Sequence, residues 1–287
     1  MAITADMVKA LRDRTGAGMM DCKAALTEAN GDIDGAIDIL RKKGIAKAAK
    51  KAERGASDGV IATWLAEDQT AGLIAEINCE TDFVARTDDF KALVQFVLDE
   101  AVKAGEAATE AWAKDPAGPI QPRVAQLVGK LGENMGVARI VRFAGRGIVG
   151  NYIHMGGKIG VLIELTGVTP EQAQTAAFKT LTKELAMQVA AASPQYARRE
   201  DVPADVLERE KGVYRGQMEG SGKPANVIEK IIEGKLTSFY AEMVLPEQAS
   251  IRDPKVKVSE TIAAAGKELG ATIGVSRFVR LKVGEAA

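Results

Sequence analysis

Two strand-like runs decide the fold of this chain: Ala138-Arg139-Ile140-Val141-Arg142-Phe143 and, near its end, Ser276-Arg277-Phe278-Val279-Arg280-Leu281. The second run keeps both arginines of the first, together with an apolar residue at each of the three apolar positions that follow the first arginine. Internal similarity of this kind indicates two copies of one supersecondary unit. The sequence therefore predicts a duplicated core.

Each copy is predicted to contain two strands, two helices and a third strand. The elements of the first copy are strands 59–65 and 73–79, helices 89–104 and 122–131, and strand 137–143. Those of the second copy are strands 148–154 and 160–165, helices 170–192 and 258–268, and strand 273–283. Short strands followed by helices favour an α+β fold, with a small antiparallel sheet in each β-β-α-α-β copy and helices on one face of it. The predicted core halves are residues 55–145 and 146–287.

The second copy carries an insertion at about 195–255 that predicts a helical hairpin. Helices 204–219 and 225–243 flank the break Gly220-Ser221-Gly222-Lys223-Pro224. The second of these helices, 225–243, has an apolar stripe, which consists of Ile228, Ile231, Ile232, Leu236 and Phe239. Such a hairpin would be an arm for a partner or for a second protomer in a homodimer, or its two helices would cover each other.

Residues 1–54, called the head below, predict three short helices of the ubiquitin-associated type. Thr4 can cap the first helix, and Gly16 breaks it. A second helix runs from about 19 to 29. Asp32 can cap a third, which is amphipathic and is predicted to end at Gly44. The pattern also allows a DNA-binding helix-turn-helix, but the second helix holds a single lysine, so direct nucleic-acid binding is not expected.

The end of the head, residues 41–54, holds seven basic residues among alanines. This composition predicts a charged linker helix. A phosphate-contacting arm is the alternative.

Composition excludes several classes of protein. The 287 residues are 27% charged and 5% aromatic with a net charge of -1, which argues against a strong field for nucleic acid or an anionic membrane. No apolar run approaches the roughly 20 residues that span a bilayer, and residues 1–6 do not resemble a signal peptide. Two cysteines, Cys22 and Cys79, are too few for a disulfide framework, so a cytoplasmic location is expected.

Signatures of enzymes are mostly missing. The chain has one histidine, His154, and neither a phosphate loop nor a dinucleotide fingerprint. A nucleophilic pair of Cys79 and His154 stays open as an alternative, because such partners meet in space rather than in sequence. A thiol hydrolase is one competing hypothesis, and a simple interaction scaffold built on the head is another.

The run Glu80-Thr81-Asp82-Phe83-Val84-Ala85-Arg86 follows a predicted strand and places a carboxylate beside a large apolar ring. A phenylalanine in a connection is a candidate anchor for another protein, because buried aromatic side chains dominate interface energetics. The alternative is that Phe83 packs in its own core and that Asp82 caps the following helix. Met19 and Met20 present the same choice between a binding surface and the core.

Two stretches of the chain resemble the signatures of bacterial elongation factor Ts. They are Thr15-Gly16-Ala17-Gly18-Met19-Met20-Asp21-Cys22-Lys23 and Asn78-Cys79-Glu80-Thr81-Asp82-Phe83-Val84-Ala85-Arg86. The motif Gly132-Glu133-Asn134, the final Arg277-Phe278 strand and the order of head, linker, duplicated core and hairpin agree with that family. The resemblance covers essentially the whole chain.

The resemblance implies a guanine-nucleotide exchange factor for elongation factor Tu, the GTPase that brings aminoacyl-tRNA to the ribosome. In the family the Asp-Phe pair is inserted near the GTPase's Mg²⁺ and phosphate loop, while the head and core grip its nucleotide domain. The implied partner-binding residues are Met19, Met20, Thr81, Asp82, Phe83, Val84, Gly132, Glu133, Asn134 and His154, with Met155 as a further candidate. No catalytic residue, cofactor or metal ion of its own is implied.

Two departures from the family pattern affect this expectation. Ala24 stands where many relatives carry a second lysine, so one contact of the head is in doubt. The chain ends at Ala287, whereas some relatives continue into another helix that touches the GTPase.

Overall fold

The computed structural model describes residues 2–219 and 222–285. Gly220 and Ser221 of the predicted break, and the last two residues, lie outside this range. The elements of the head and the first copy are α1 (Ala5–Thr15), α2 (Met19–Glu28), α3 (Ile33–Lys51), β1 (Asp58–Leu65), β2 (Ala71–Cys79), α4 (Asp82–Ala85), α5 (Asp88–Ala104), α6 (Glu110–Lys114), α7 (Ile120–Leu131) and β3 (Met135–Ala144). Those of the second copy are β4 (Ile148–His154), β5 (Ile159–Thr166), α8 (Pro170–Ala173), α9 (Ala176–Ala192), α10 (Ala204–Met218), α11 (Ala225–Met243), α12 (Val258–Leu269) and β6 (Gly274–Lys282).

The predicted α+β fold with two antiparallel sheets is confirmed. The sheets have the orders β1-β2-β3 and β4-β5-β6. They pack face to face through a shared apolar layer, which contains Ile61, Ile74, Phe143, Val149, Leu162 and Leu281. The other face of each sheet is covered by helices, α5 and α7 on the first and α9 and α12 on the second. Each sheet is therefore covered on both faces, by the other sheet on one and by helices on the other.

The two copies match beyond their third strands. From β1 to the end of α5, residues of the first copy correspond to those of the second with a constant shift in numbering. Thr81 and Thr169 cap the first short helix of each copy, and Phe90 and Phe178 are buried in the next helix. The prediction of one long helix at 170–192 was wrong, because the chain breaks before Thr175, which caps a new helix.

The prediction that the head's third helix ends at Gly44 was also wrong. Helix α3 continues through Gly44 to Lys51 and lies across α7 of the core. A Cβ added at Gly44 would lie 3.4 Å from the Ala125 carbonyl oxygen, and one added at Gly129 would lie 3.8 Å from the Gly44 Cα. Gly44 is therefore a close helix crossing, and the predicted linker docks the head on the core.

The inserted hairpin consists of α10 and α11, as predicted. Ile232 and Phe239 of the apolar stripe are buried, whereas Val213 and Val227 are exposed large apolar residues on the two helices. The hairpin helices thus cover much of their own apolar surface. Of the helices that the structure describes, none combines the length and the apolar character needed to cross a bilayer.

Candidate functional site

Phe83 projects from a short, firmly held turn, residues 81–86, which is called the Phe83 turn below. The Thr81 hydroxyl oxygen accepts a hydrogen bond from the Val84 N–H at 3.4 Å and caps α4. Val84 and Ala85 are buried, whereas the Phe83 side chain is 79% exposed. The reading of Phe83 as a core residue was therefore wrong, and the cap is Thr81 rather than Asp82.

The second copy shows which residues of this turn the fold requires. Thr169 repeats the cap of Thr81, and Ala173 repeats the buried Ala85. Asp82 and Phe83, in contrast, correspond to Pro170 and Glu171. The same backbone turn forms without an aromatic residue, so packing within the chain does not explain Phe83.

Asp82 is paired within its own turn. Its carboxylate accepts a hydrogen bond from the Arg86 guanidinium at 2.7 Å, four residues along the chain. The Arg86 side chain is largely exposed and that of Asp82 is partly exposed, and such pairs contribute little to stability in water. The turn therefore does not depend on this pair for its stability.

Gly132, Glu133 and Asn134 lie directly behind the Phe83 turn. The Glu133 carboxylate accepts from the Thr81 N–H at 3.0 Å and from its hydroxyl at 2.7 Å. The Asn134 N–H donates to the Glu80 carboxylate at 2.6 Å, and the Lys51 ammonium donates to the Gly132 carbonyl. The motif implied as a partner contact is thus joined by hydrogen bonds to the turn and to the head.

The turn between β4 and β5 places His154 and Met155 at the end of the core from which the Phe83 turn also projects. Met155 is 70% exposed, and His154 is exposed with its Nδ1 3.0 Å from the Tyr152 hydroxyl. The Lys158 ammonium donates to the Asp58 carboxylate at the start of β1, beside the end of β2. Burial raises the pKa of Asp58, but hydrogen bonds from Lys158 and from the Gly59 N–H outweigh it and lower this pKa overall.

Met19 and Met20, at the start of α2, are 52% and 76% exposed. The Lys130 side chain connects this part of the head to the core. Its ammonium pairs with Asp89 of α5 at 2.7 Å, and its Cδ would lie 3.3 Å from a Cβ added at Gly16. Lys130 thus joins the loop that precedes these two exposed methionines to α5 of the core.

Cys79 and His154 do not form a nucleophilic pair. The Cys79 thiol is buried and donates to the Thr81 carbonyl at 3.1 Å. Burial, with smaller effects from the charges of Asp58 and Glu133, raises its pKa to about 12, so that almost no reactive thiolate exists near neutral pH. The thiol hydrolase hypothesis was wrong. Within residues 2–219 and 222–285, no group of three or more His, Cys, Asp or Glu residues could hold a metal ion.

Four of the seven basic residues at the end of the head make internal contacts, and one of them is the contact of Lys51 with Gly132. Lys43 pairs with Glu28 at 2.7 Å, and Lys47 pairs with Asp21 at 3.0 Å. Arg54 lies 3.7 Å from the Glu80 carboxylate. These contacts hold α3 in place, which argues against a phosphate-binding arm.

Sequence reasoning missed Arg86, Asp58 and Lys158. The spacing of Asp82 and Arg86 was a usable signal, since residues four apart meet on a helix. Asp58 and Lys158 carry no such signal, because their contact depends on how the two sheets pack.

Comparison with known proteins agrees with this arrangement. The profile of the family described as Elongation factor TS matches residues 80–285. Proteins named Elongation factor Ts are similar over 99% of this chain: that of Trichlorobacter lovleyi is 46% identical over 94% of its own length, that of Nitratiruptor sp. 45% over 94%, and that of Clostridium botulinum 43% over 93%. The chain therefore belongs to the elongation factor Ts family, the nucleotide exchange factors for elongation factor Tu in translation elongation.

Proposed function

We propose that the chain releases GDP from elongation factor Tu by inserting Phe83 and Asp82 near the Mg²⁺ and phosphate site of that GTPase. The observation that carries the proposal is the exposed Phe83 on a turn whose second copy has Glu171 instead. A large apolar side chain held in water costs solvation free energy that a partner can recover. The fold supplies no other reason for it.

The mechanism follows from the way Mg²⁺ and GDP bind together. Mg²⁺ bridges phosphate oxygens and demands a nearly ideal octahedral geometry. A wedge that moves the metal's supporting groups by about 1 Å would weaken the metal and the nucleotide together. Phe83 supplies the wedge, and Asp82, released from Arg86, meets the cationic groups of the site. Because coupling is reciprocal, incoming GTP weakens the grip on the exchange factor and displaces it.

Phe83 alone does not supply enough binding free energy to displace the nucleotide. Burial of one phenylalanine side chain contributes about 1.5–3 kcal/mol, whereas inverting a 1:99 equilibrium takes about 5.5 kcal/mol. We assign the remainder to four further exposed side chains, which are Met19, Met20, His154 and Met155. Thr81 and Val84 hold the turn, and Gly132, Glu133 and Asn134 support it from behind.

The parts of the chain divide this work. Residues 1–54 form the head, residues 55–145 and 146–287 form the two core halves, and residues 195–255 form the hairpin. The exposed Val213 and Val227 of the hairpin suit a second contact, either with the GTPase or with a second protomer. Sedimentation of the chain alone tests for a second protomer, and sedimentation with elongation factor Tu tests for the GTPase.

The protein works in the cytoplasm, where translation takes place.

The test is the release of a fluorescent GDP analogue from elongation factor Tu. The native chain should accelerate release, and Phe83→Ala should reduce the acceleration by about 10- to 100-fold, which corresponds to the burial free energy of one phenylalanine. Glu171→Ala is the matched control, since it changes the equivalent exposed position of the second copy, and it should leave release unchanged. Equal acceleration by the native chain and Phe83→Ala would refute the wedge.

The competing hypothesis of a scaffold that binds without affecting the nucleotide was wrong, because the chain belongs to a family of nucleotide exchange factors.

A further inference from the structure

Glu133 makes a two-point contact with the Phe83 turn. One carboxylate oxygen accepts from the Thr81 N–H at 3.0 Å, and the other accepts from the Thr81 hydroxyl at 2.7 Å. Hydrogen bonds to an ionised acceptor are stronger than those between neutral groups. Glu133 thereby fixes the residue at which α4 begins.

The second copy satisfies the same backbone group in a different way. There the Thr169 N–H donates to the Gln172 side chain at 2.8 Å, and the Gln172 N–H donates to the Thr169 hydroxyl at 3.3 Å. This is a capping box, which closes the turn with its own residues. The position of Gln172 corresponds to Val84 in the first copy, whose side chain cannot accept a hydrogen bond. The position of Glu133 corresponds to Ala271 in the second copy.

The first copy keeps the local cap by the Thr81 hydroxyl but takes the acceptor for the Thr81 N–H from a distant residue. That acceptor, Glu133, follows α7, whereas in the second copy it belongs to the turn itself. The head is attached at the same place, because Lys51 of α3 donates to the carbonyl of Gly132 and α3 packs along α7. A single junction thus connects the head, α7 and the turn that carries Phe83.

We infer that Glu133 is a positioning residue for nucleotide exchange: it acts on elongation factor Tu through Thr81 and the Phe83 turn, and not by touching the partner. This inference rests on the proposed function of Phe83. It also explains why both carboxylate oxygens of the half-buried Glu133 face Thr81.

The test is a double-mutant cycle on nucleotide release with Glu133→Ala, Phe83→Ala and both changes together. Glu133→Ala alone should slow release by about tenfold or more, the size expected for lost hydrogen bonds to a charged group. In the Phe83→Ala background it should have almost no further effect. Glu133→Gln, which keeps one acceptor oxygen, should restore part of the rate. Multiplicative losses in the double variant would indicate a direct contact and overturn the inference.

Amide hydrogen exchange of the free chain provides a second, independent readout. Glu133→Ala should accelerate exchange in residues 80–86 and leave the strands unchanged, whereas Gln172→Ala should do so in residues 169–174 and leave nucleotide release at the native rate. Unchanged exchange in residues 80–86 would overturn the inference. If Phe83→Ala did not alter release, the proposed function would fail, and the amide exchange would still decide whether Glu133 orders the turn. Should Glu133→Ala fail to fold, Glu133→Gln replaces it in both measurements.

Discussion

Arg139 and Arg277 occupy equivalent positions in the two copies, and each reaches across to the other sheet. Arg139 pairs with the buried Glu76 at 2.6 Å and donates to the Lys282 carbonyl of β6 at 2.8 Å. Arg277 pairs with the buried Glu164 at 2.8 Å and donates to the Ala144 carbonyl of β3. Both arginines follow a register shift in their strand pair. The two reciprocal contacts fix the packing of one sheet on the other. They therefore also fix which strand ends of the two sheets lie close together.

Removal of one member of such a pair should destabilise the chain strongly. Glu164→Ala leaves the Arg277 guanidinium without its carboxylate, and we expect the free energy of unfolding to fall by about 3–5 kcal/mol. Urea denaturation measures this loss. The control replaces both residues, Glu164→Leu with Arg277→Met, and should cost much less because no uncompensated charge remains. A loss below about 1 kcal/mol in the single variant would contradict the structural role of the pair.

Much of this architecture could be predicted from local patterns. The duplicated arginine strands predicted two equivalent sheets, and both proved to be three-stranded and antiparallel. Caps at Thr4 and Asp32 were correct, because the hydrogen bonds of a cap involve residues only two or three positions away.

The remaining features depend on contacts between distant residues. Gly44 has the local pattern of a helix end, but a close crossing with α7 makes it an interior helix residue. Helix α4 has four residues, which is too short to produce a periodic pattern. The contact of Glu133 with Thr81 spans the four helices α4 to α7, so no spacing rule predicts it. The comparison of Thr81–Phe90 with Thr169–Phe178 was available in the sequence and would have marked Phe83 as dispensable for the fold.

The close crossing at Gly44 predicts that a large side chain there detaches the head. Gly44→Leu has no space beside the Ala125 carbonyl, and it should push α3 away from α7. We expect faster proteolysis within residues 41–54 and slower nucleotide release from elongation factor Tu, while the core unfolds at the native urea concentration. Gly44→Ala is the control, since its Cβ would lie 3.4 Å from that oxygen. Native proteolysis and release with Gly44→Leu would show that the head does not depend on this crossing.

The ion pair between Lys158 and Asp58 should matter for partner binding through the β4–β5 turn. Asp58→Asn removes the charge that holds Lys158, and the turn that carries His154 and Met155 should become mobile. We expect weaker binding to elongation factor Tu, by about 3- to 10-fold, a size typical of partly exposed charge pairs near 1 kcal/mol. Calorimetric titration measures the affinity. Lys114→Ala, which breaks an exposed pair with Glu110 elsewhere, should bind like the native chain.

The buried thiol of Cys79 predicts a loss of stability at alkaline pH. Burial raises its pKa from an ordinary value of 9.0 to about 12 in the folded chain. Between these values the unfolded chain has lost the thiol proton and the folded chain has kept it, so stability falls as the pH rises, by up to about 1.4 kcal/mol per pH unit. Below pH 9 this contribution is constant. Urea denaturation at pH 8, 9, 10 and 11, compared with Cys79→Ala, isolates it from other titrating groups. The native chain should lose its advantage over the variant as the pH rises, and a difference that stays constant would mean that the thiol titrates normally.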